Sequence, residues 1–324
     1  MPHLIFMTNF TEEIKTEILK NFSGGREQCL SALSAFIRTS GSLVRSGGYY
    51  GFELSTESEN TAHFFADMLE NVFGVEISDF SSRSDVSSGM DKLVFSCLGP
   101  QSTQLLKECG VLGEDADGVF VDFSVGDKVT EGSGCVQAYF KGAFLGGGSC
   151  TLPDPGGYSS TGYHFEVVFR NKITAGDFCD LLCTFDILAK LVMRKDSAVV
   201  YLKSIDAISA ALSAMGAEGC LEKLKEVARE RGNSNNDNRV NNCSVSNIDK
   251  TVSASVKQVQ AIEIIRSTIG LQSLDENLFS VAEGRLADKN ASMQELADRL
   301  HISKSCLNHR FRKIMDMARQ LGEN

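Results

Sequence analysis

Apolar residues recur along this chain at two spacings, one helical and one alternating, and the order in which those spacings follow one another occurs twice. Residues 10–22 read as a helix, with Thr11 and the acidic pair Glu12-Glu13 at its start. Residues 29–42 form an apolar, small-residue helix ending at Gly41, where glycine commonly closes a helix. Strand-like runs follow at 43–45 and 49–55, joined through Gly47-Gly48. A helix over 59–73, strands over 75–80 and 92–97 and a helix over 102–109 complete the series.

The second series opens with a helix over 135–149, again ending on glycine and then serine. A strand over 163–169, a helix, strands over 191–194 and 199–203 and a helix over 205–215 follow. Thr61-Ala62-x-x-Phe65-x-Asp67-Met68-Leu69 is matched by Thr174-Ala175-x-x-Phe178-x-Asp180-Leu181-Leu182, the single change being Met to Leu. Gly41 and Gly148 lie 107 residues apart, and Gly110 and Gly216 lie 106 apart. Two copies of an α–ββ–α–ββ–α unit account for this pattern.

The joint between the copies, 125–134, is rich in glycine and charge. After Arg231 the chain turns polar and Asn-dense, as a flexible linker does. Val252, Val256, Val259 and Ile262 then share one stripe of a long helix that starts near Ile248, and a second helix covers 274–286. Ser292 with Glu295 makes a capping-box start, and Met293, Leu296, Ala297 and Leu300 follow on one face. His301-Ile302-Ser303 interrupts the pattern, and Ser303 caps a last helix with Leu307, Phe311, Ile314 and Ala318 on its apolar stripe. Ser305, His309 and Arg312 face the opposite way, with Asn308 and Arg310 on the shoulders. From Arg299 to Lys313 there are five Arg or Lys residues and no Asp or Glu. A short helix, a tight turn and a helix with a polar, basic outer face is the helix-turn-helix layout, and these side chains are the types that bond base edges and phosphates. The expected division is 1–126 for the first repeat, 127–231 for the second, 232–246 for the linker and 247–324 for the helix-turn-helix domain.

Composition narrows the partners. Hydrophobic content of 42% and charged content of 23% are ordinary for a globular protein, but the net charge is −10. Residues 247–324 hold 11 basic and 10 acidic side chains, so attraction to phosphate must be local to the C-terminal end. The ten cysteines lack a CxxC pair, which argues against zinc, and no secretory signal favours disulfides. Leu4-Ile5-Phe6 is too short for a signal core, and Met7 is an alternative start. With no apolar run of spanning length, the expected place is the cytoplasm, at the nucleoid and not in a membrane.

Three stretches carry a family resemblance. Tyr139-Phe-Lys-Gly-Ala-Phe-Leu-Gly-Gly-Gly-Ser149 resembles the degenerate LAGLIDADG helix of the sporulation regulator WhiA family. Asn238-Arg239, Asn242-Cys243, Asn247 and Lys250 resemble its Asn/Arg-rich junction, and Ser303-Lys304-Ser305 with Asn308-His309-Arg310 and Arg312-Lys313-Ile314 resemble its helix-turn-helix. The junction here carries extra Asn-rich residues, and the N-terminal part is acidic. The resemblance implies an α+β fold: a two-repeat LAGLIDADG-like saddle followed by an all-α helix-turn-helix domain similar to the promoter-reading domains of sigma factors. It also implies a DNA-binding transcriptional regulator of cell division, chromosome segregation or sporulation genes.

In LAGLIDADG endonucleases each of two packed motif helices delivers one carboxylate, just before its terminal glycine, to hold divalent metal at the scissile phosphates. The equivalent positions here are Ser40 and Gly147, and neither supplies a carboxylate. Ala35 and the Gly142/Gly146 pair keep only the packing role. The chain also lacks GxxxxGK[ST], GxSxG and HExxH motifs. Gly146-Gly-Gly148 ends a helix instead of following a strand, His63 and His164 read as structural, and Cys179 and Cys183 as core. No catalysis and no cofactor are therefore expected, with promoter double-stranded DNA as partner. Lys304, Arg310 and Lys313 would pin phosphates, Ser305, Asn308, His309 and Arg312 would meet base edges, and Ser303 belongs to the same surface. The alternative is an interaction module whose helix pair docks a protein such as RNA polymerase without reading DNA.

Overall fold

The computed structural model describes residues 9–84, 91–153, 162–235, 246–289 and 291–322, with side chains at all of these except 231–254, 256, 304, 305 and 322. The chain divides into two compact units, Met1–Leu182 with Ala189–Ala228, and Cys183–Leu188 with Arg229–Asn324.

In the first unit, α1 (Phe10–Lys20) starts at Asn9, whose side chain accepts the Thr11 amide at 3.1 Å. Then come α2 (Arg26–Ser40), β1 (Gly41–Ser46), β2 (Tyr49–Thr56), α3 (Glu59–Asn71), β3 (Asp79–Ser84), β4 (Asp91–Cys97) and α4 (Pro100–Glu108). A hairpin of β5 (Leu112–Asp115) and β6 (Gly118–Val121) leads to the second copy. That copy comprises α5 (Cys135–Gly147), β7 (Gly148–Thr151), β8 (His164–Phe169), α6 (Lys172–Cys183), β9 (Lys190–Arg194), β10 (Ser197–Leu202) and α7 (Ile205–Met215), with α8 (Glu218–Asn235) after it.

The repeat read from the sequence is a repeat of topology. The two antiparallel sheets have strand orders β1-β2-β4-β3 and β7-β8-β10-β9, the same order for corresponding strands. Gly47 (φ 58°) and Gly48 (φ 86°) supply the two left-handed residues that turn β1 into β2. Phe52 and Leu54 of β2 and Phe95 of β4 then point into the core, while Glu53 and Ser55 point away. The matched segments hold matched places: the Phe65 ring stacks on Phe36 of α2 at 3.9 Å, and the Phe178 ring meets Phe140 of α5 edge-on at 5.6 Å. Both cores are thus hung on the two central helices.

Those helices approach closely enough for backbone to touch backbone. A Cβ on Gly142 of α5 would sit 2.0 Å from the Ala32 carbonyl oxygen of α2. The glycines that end them differ from expectation. Gly41 (φ −86°) and Gly148 (φ −87°) are extended, so no left-handed closure occurs. Glycine is required there because a Cβ would lie 2.4 Å from the Ile37 oxygen and 2.5 Å from the Phe144 oxygen respectively.

Other expectations also shift. The strand expected over 75–80 begins only at Asp79; Val75 instead closes α3, its amide donating to the Leu69 carbonyl at 2.9 Å across Gly74 (φ 64°). The β5–β6 hairpin, β7 and α8 have no counterpart in the sequence reading. Helix α8 runs to Asn235, four residues into the expected linker, whose residues 236–245 lie outside the described ones.

The second unit is helical: α9 (Ser246–Thr268), α10 (Glu276–Ala287), α11 (Met293–Arg299) and α12 (Lys304–Gly322). Ile262, Ile265, Leu278, Val281, Leu296, Leu307, Phe311 and Ile314 form its core. Of the expected α9 stripe, Ile262 is buried and Val259 half-buried, while the side chains of Val252 and Val256 lie outside the described ones. Among the described residues, no helix is long and apolar enough to cross a membrane.

Candidate DNA-binding helix pair

The reciprocal cap expected at Ser292 is formed. Its amide donates to Glu295 Oε2 at 2.8 Å, and the Glu295 amide donates to Ser292 Oγ at 3.2 Å. Hydrogen bonds from the Ser292 amide and hydroxyl hold the Glu295 carboxyl below its usual range. Helix α11 ends at Leu300, and the chain reverses through His301 in the left-handed region (φ 53°). The Ile302 amide reaches back to the Ala297 carbonyl at 3.1 Å, which tightens the turn. Ser303 then opens α12, its hydroxyl oxygen accepting the Cys306 amide at 3.1 Å.

On α12 the apolar stripe is buried as expected, with Leu307, Phe311, Ile314 and Ala318 between 0% and 3% exposed. Burying Leu307, Phe311 and Ile314 contributes on the order of 1.5–3 kcal/mol each, and fixes which side of the helix is left outward. Asn308, His309, Arg310 and Arg312 are partly exposed and Lys313 is exposed, so these five lie off the buried stripe. Ser303 is half-buried in its capping role. Nε2 of His309 is shielded from solvent. Lys304 and Ser305 fall in the first turn of α12, and their side chains lie outside the described ones.

Two features qualify the sequence picture. Arg299 is paired with Asp288 at 2.9 Å, so one of the window's five cations is already engaged within the domain. Arg285, which the sequence reading passed over, is 1% exposed. Its Nη1 donates to the Ala291 carbonyl at 2.6 Å, and its guanidinium lies over the Phe311 ring with the carbon 5.3 Å from the centroid. Burial lowers its pKa. Arg285 therefore ties α10 and the segment before α11 to the middle of α12. The signal was available: Leu278, Val281, Ala282 and Arg285 fall on one helical stripe, so an Arg occupies a core position.

In the first unit, Ser40 and Gly147 are the last residues of the central helices, directly before Gly41 and Gly148. Ser40 Oγ donates to the Phe36 carbonyl at 3.0 Å, and a Cβ on Gly147 would lie 2.5 Å from the Val168 oxygen. Burial pushes the Cys97, Cys150 and Cys220 thiols up to about 12, far from the thiolate form a nucleophile needs.

Models of three domain families match the chain: the WhiA N-terminal LAGLIDADG-like domain over 26–111, the WhiA LAGLIDADG-like domain over 136–232 and the WhiA C-terminal HTH domain over 238–318. The "Probable cell division protein WhiA" of Clostridium novyi is 34% identical, the match covering 97% of this chain and 98% of that protein. The Clostridium botulinum protein of the same name is 31% identical over 97% of this chain and 99% of its own. The chain belongs to the WhiA family. The crystal structure of full-length DUF199/WhiA from Thermotoga maritima matches with a TM-score of 0.54 at 24% identity, covering 97% of this chain and 99% of that one. That of the N-terminal LAGLIDADG domain of DUF199/WhiA gives 0.50 at 21% identity, covering 70% and 100%. The first likeness shows the WhiA fold, LAGLIDADG-like repeats followed by a helix-turn-helix domain, and the second shows its LAGLIDADG-like part; this is the α+β class read from the sequence. Helix α11 and α12 as far as Ala318 fall inside the WhiA HTH match.

Proposed function

We propose that this chain is a sequence-specific transcriptional regulator that binds double-stranded DNA at promoters through α11 and α12 and has no catalytic activity. The observation that carries this is the two-sidedness of α12: a buried stripe of Leu307, Phe311, Ile314 and Ala318, with Asn308, His309, Arg310, Arg312 and Lys313 on the other side. In this reading Lys304, Arg310 and Lys313 contact phosphates and set register, while Ser305, Asn308, His309 and Arg312 meet base edges beside the cap residue Ser303. Its targets in this reading are genes of cell division, chromosome segregation or sporulation, of which the name of the relatives supports cell division. The protein would work at the nucleoid. We place the functional boundaries at 1–126, 127–231, 232–246 and 247–324.

Absence of nuclease activity is supported by Ser40 and Gly147, which offer no carboxylate where a LAGLIDADG nuclease would hold metal. Full-length protein with magnesium or manganese should leave plasmid DNA intact.

The test is binding of the full-length chain to duplex DNA across a salt series. Affinity should fall steeply as salt rises. Arg312→Ala should cost on the order of 1–3 kcal/mol and relax preference at one base position, whereas Lys313→Ala should weaken all sequences alike. No binding at low salt would favour the rival in which the helix pair docks a protein such as RNA polymerase.

A further inference from the structure

Met293 is the first residue of α11, half-buried against the core of the second unit. Its sulfur receives two N–H donors: Gln258 Nε2 from α9 at 3.7 Å and Arg285 Nη2 from α10 at 3.5 Å. Both donors are buried, Gln258 being 5% and Arg285 1% exposed. A thioether is a weak acceptor, so two buried donors, one of them cationic, are poorly served by it. More donor capacity lies beside them. Arg285 Nε has no hydrogen-bond partner among the described residues, and Nη1 bonds a backbone carbonyl, that of Ala291, instead of a carboxylate. Buried polar groups left in this condition are uncommon and costly. Gln258 Oε1 is likewise buried without a partner among the described residues, and one oxygen on the sulfur would give the two N–H donors a strong acceptor where they now meet a thioether.

From this we infer that Met293 is a site of reversible sulfur oxidation, and that the domain holds the resulting sulfoxide through Arg285 and Gln258. The oxidant is a hydroperoxide. Its O–O bond breaks, one oxygen forms the S=O bond, sulfur gives up two electrons, and the peroxide leaves as alcohol or water. A thiol-dependent sulfoxide reductase reverses the step: two thiols become a disulfide and the oxygen leaves as water. Met315 and Met317 pack on the same core without a hydrogen bond to sulfur among the described residues, so they serve as internal comparators. Oxidation of a methionine in an apolar setting ordinarily disrupts packing. At Met293 the polar product meets donors already in place. The inference concerns the unit that we propose reads DNA, but does not depend on DNA binding.

The experiment treats full-length protein with hydrogen peroxide, maps oxidised methionines by peptide mass, and follows stability by thermal melting and by amide exchange over α11. Protein oxidised at Met293 should melt within about 2 °C of untreated protein, and sulfoxide reductase should restore the reduced mass. Met293→Gln, which places a carbonyl oxygen near the sulfoxide position, should melt no lower than Met293→Leu. Two results would overturn the inference. One is Met293 staying reduced while Met315 and Met317 oxidise. The other is a loss of more than about 5 °C, roughly 1 kcal/mol for a domain of this size, on oxidation at Met293 or in Met293→Gln relative to Met293→Leu.

Discussion

Replacing Gly142 by alanine tests whether the two repeats are joined by direct backbone contact. The added Cβ would lie 2.0 Å from the Ala32 oxygen and 2.7 Å from its carbonyl carbon and Cα. Those are main-chain atoms in the middle of α2, so no side chain can rotate out of the way. To bring the oxygen back to the 3.0 Å limit, the helices must part by about 1 Å at their centre. That parting loosens contacts of Phe36, Tyr139 and Ala143, all fully buried. Overpacking of this kind costs about 1–3 kcal/mol, and the gain in helix propensity from glycine to alanine returns at most about 1 kcal/mol. Because the clash is with main chain, the cost lies in the upper part of that range, about 2–3 kcal/mol, and a full 1 kcal/mol return leaves about 1–2 kcal/mol, a melting decrease of about 2–8 °C for a unit of this size. Circular dichroism melts of wild type, Gly142→Ala and Gly176→Ala would measure it. Gly176 lies inside α6 with nothing near its virtual Cβ, so its alanine should be neutral or slightly stabilising. Equal melting of Gly142→Ala and wild type would refute the backbone contact.

Phe311→Ala removes a core ring and the surface that Arg285 lies over, and should cost about 3–5 kcal/mol, seen as loss of the second unit's cooperative melt and of DNA binding at any salt. For Glu17, burial raises the carboxyl pKa, but the Gly219 and Cys220 amides at 2.7 and 2.9 Å outweigh it and the net shift is downward. Its stabilising effect is therefore full above the ordinary carboxylate value and lost as pH falls through the lower folded-state value. Acid titration of Glu17→Gln against wild type should show a stability gap at neutral pH that closes in acid; a constant gap would contradict these two amide bonds to the Glu17 carboxylate. Among the described cysteines only Cys306 is not buried, so it should react first with a thiol reagent at neutral pH, and early labelling of Cys109 or Cys150 would contradict the burial.

What was legible in the sequence follows from where its physics is local. The order of helices and strands, and its repetition, depend on side-chain periodicity and Gly-Gly turn chemistry, and both survive folding unchanged. The capping box at Ser292 and the α12 stripe are equally local, since each bond closes within one turn. Val75 was misread because its apolar type fits a strand as well as a helix-closing plug, and only the Leu69 carbonyl decides between them. Arg285 was missed because its solvation is replaced by Ala291 and Phe311, partners that no single stretch reveals. The need for glycine at Gly41 and Gly148 was seen for the wrong reason: the sequence suggests a backbone conformation, whereas the constraint is a carbonyl one turn earlier. Helix α8 carries charge around most of its surface, which masks the spacing of Leu221, Leu224 and Val227 that seats it.

The central helix pair also bears on ancestry. On the 107-residue offset, Gly142 of the second copy corresponds to Ala35 of the first, and Gly146 to Thr39. The copies have thus become unlike at their meeting line, one recessed and the other filling the recess. Two first copies brought together would press bulk against bulk, and two second copies would leave a furrow. A duplication that began with interchangeable halves has passed the point where either half could serve as its own mate.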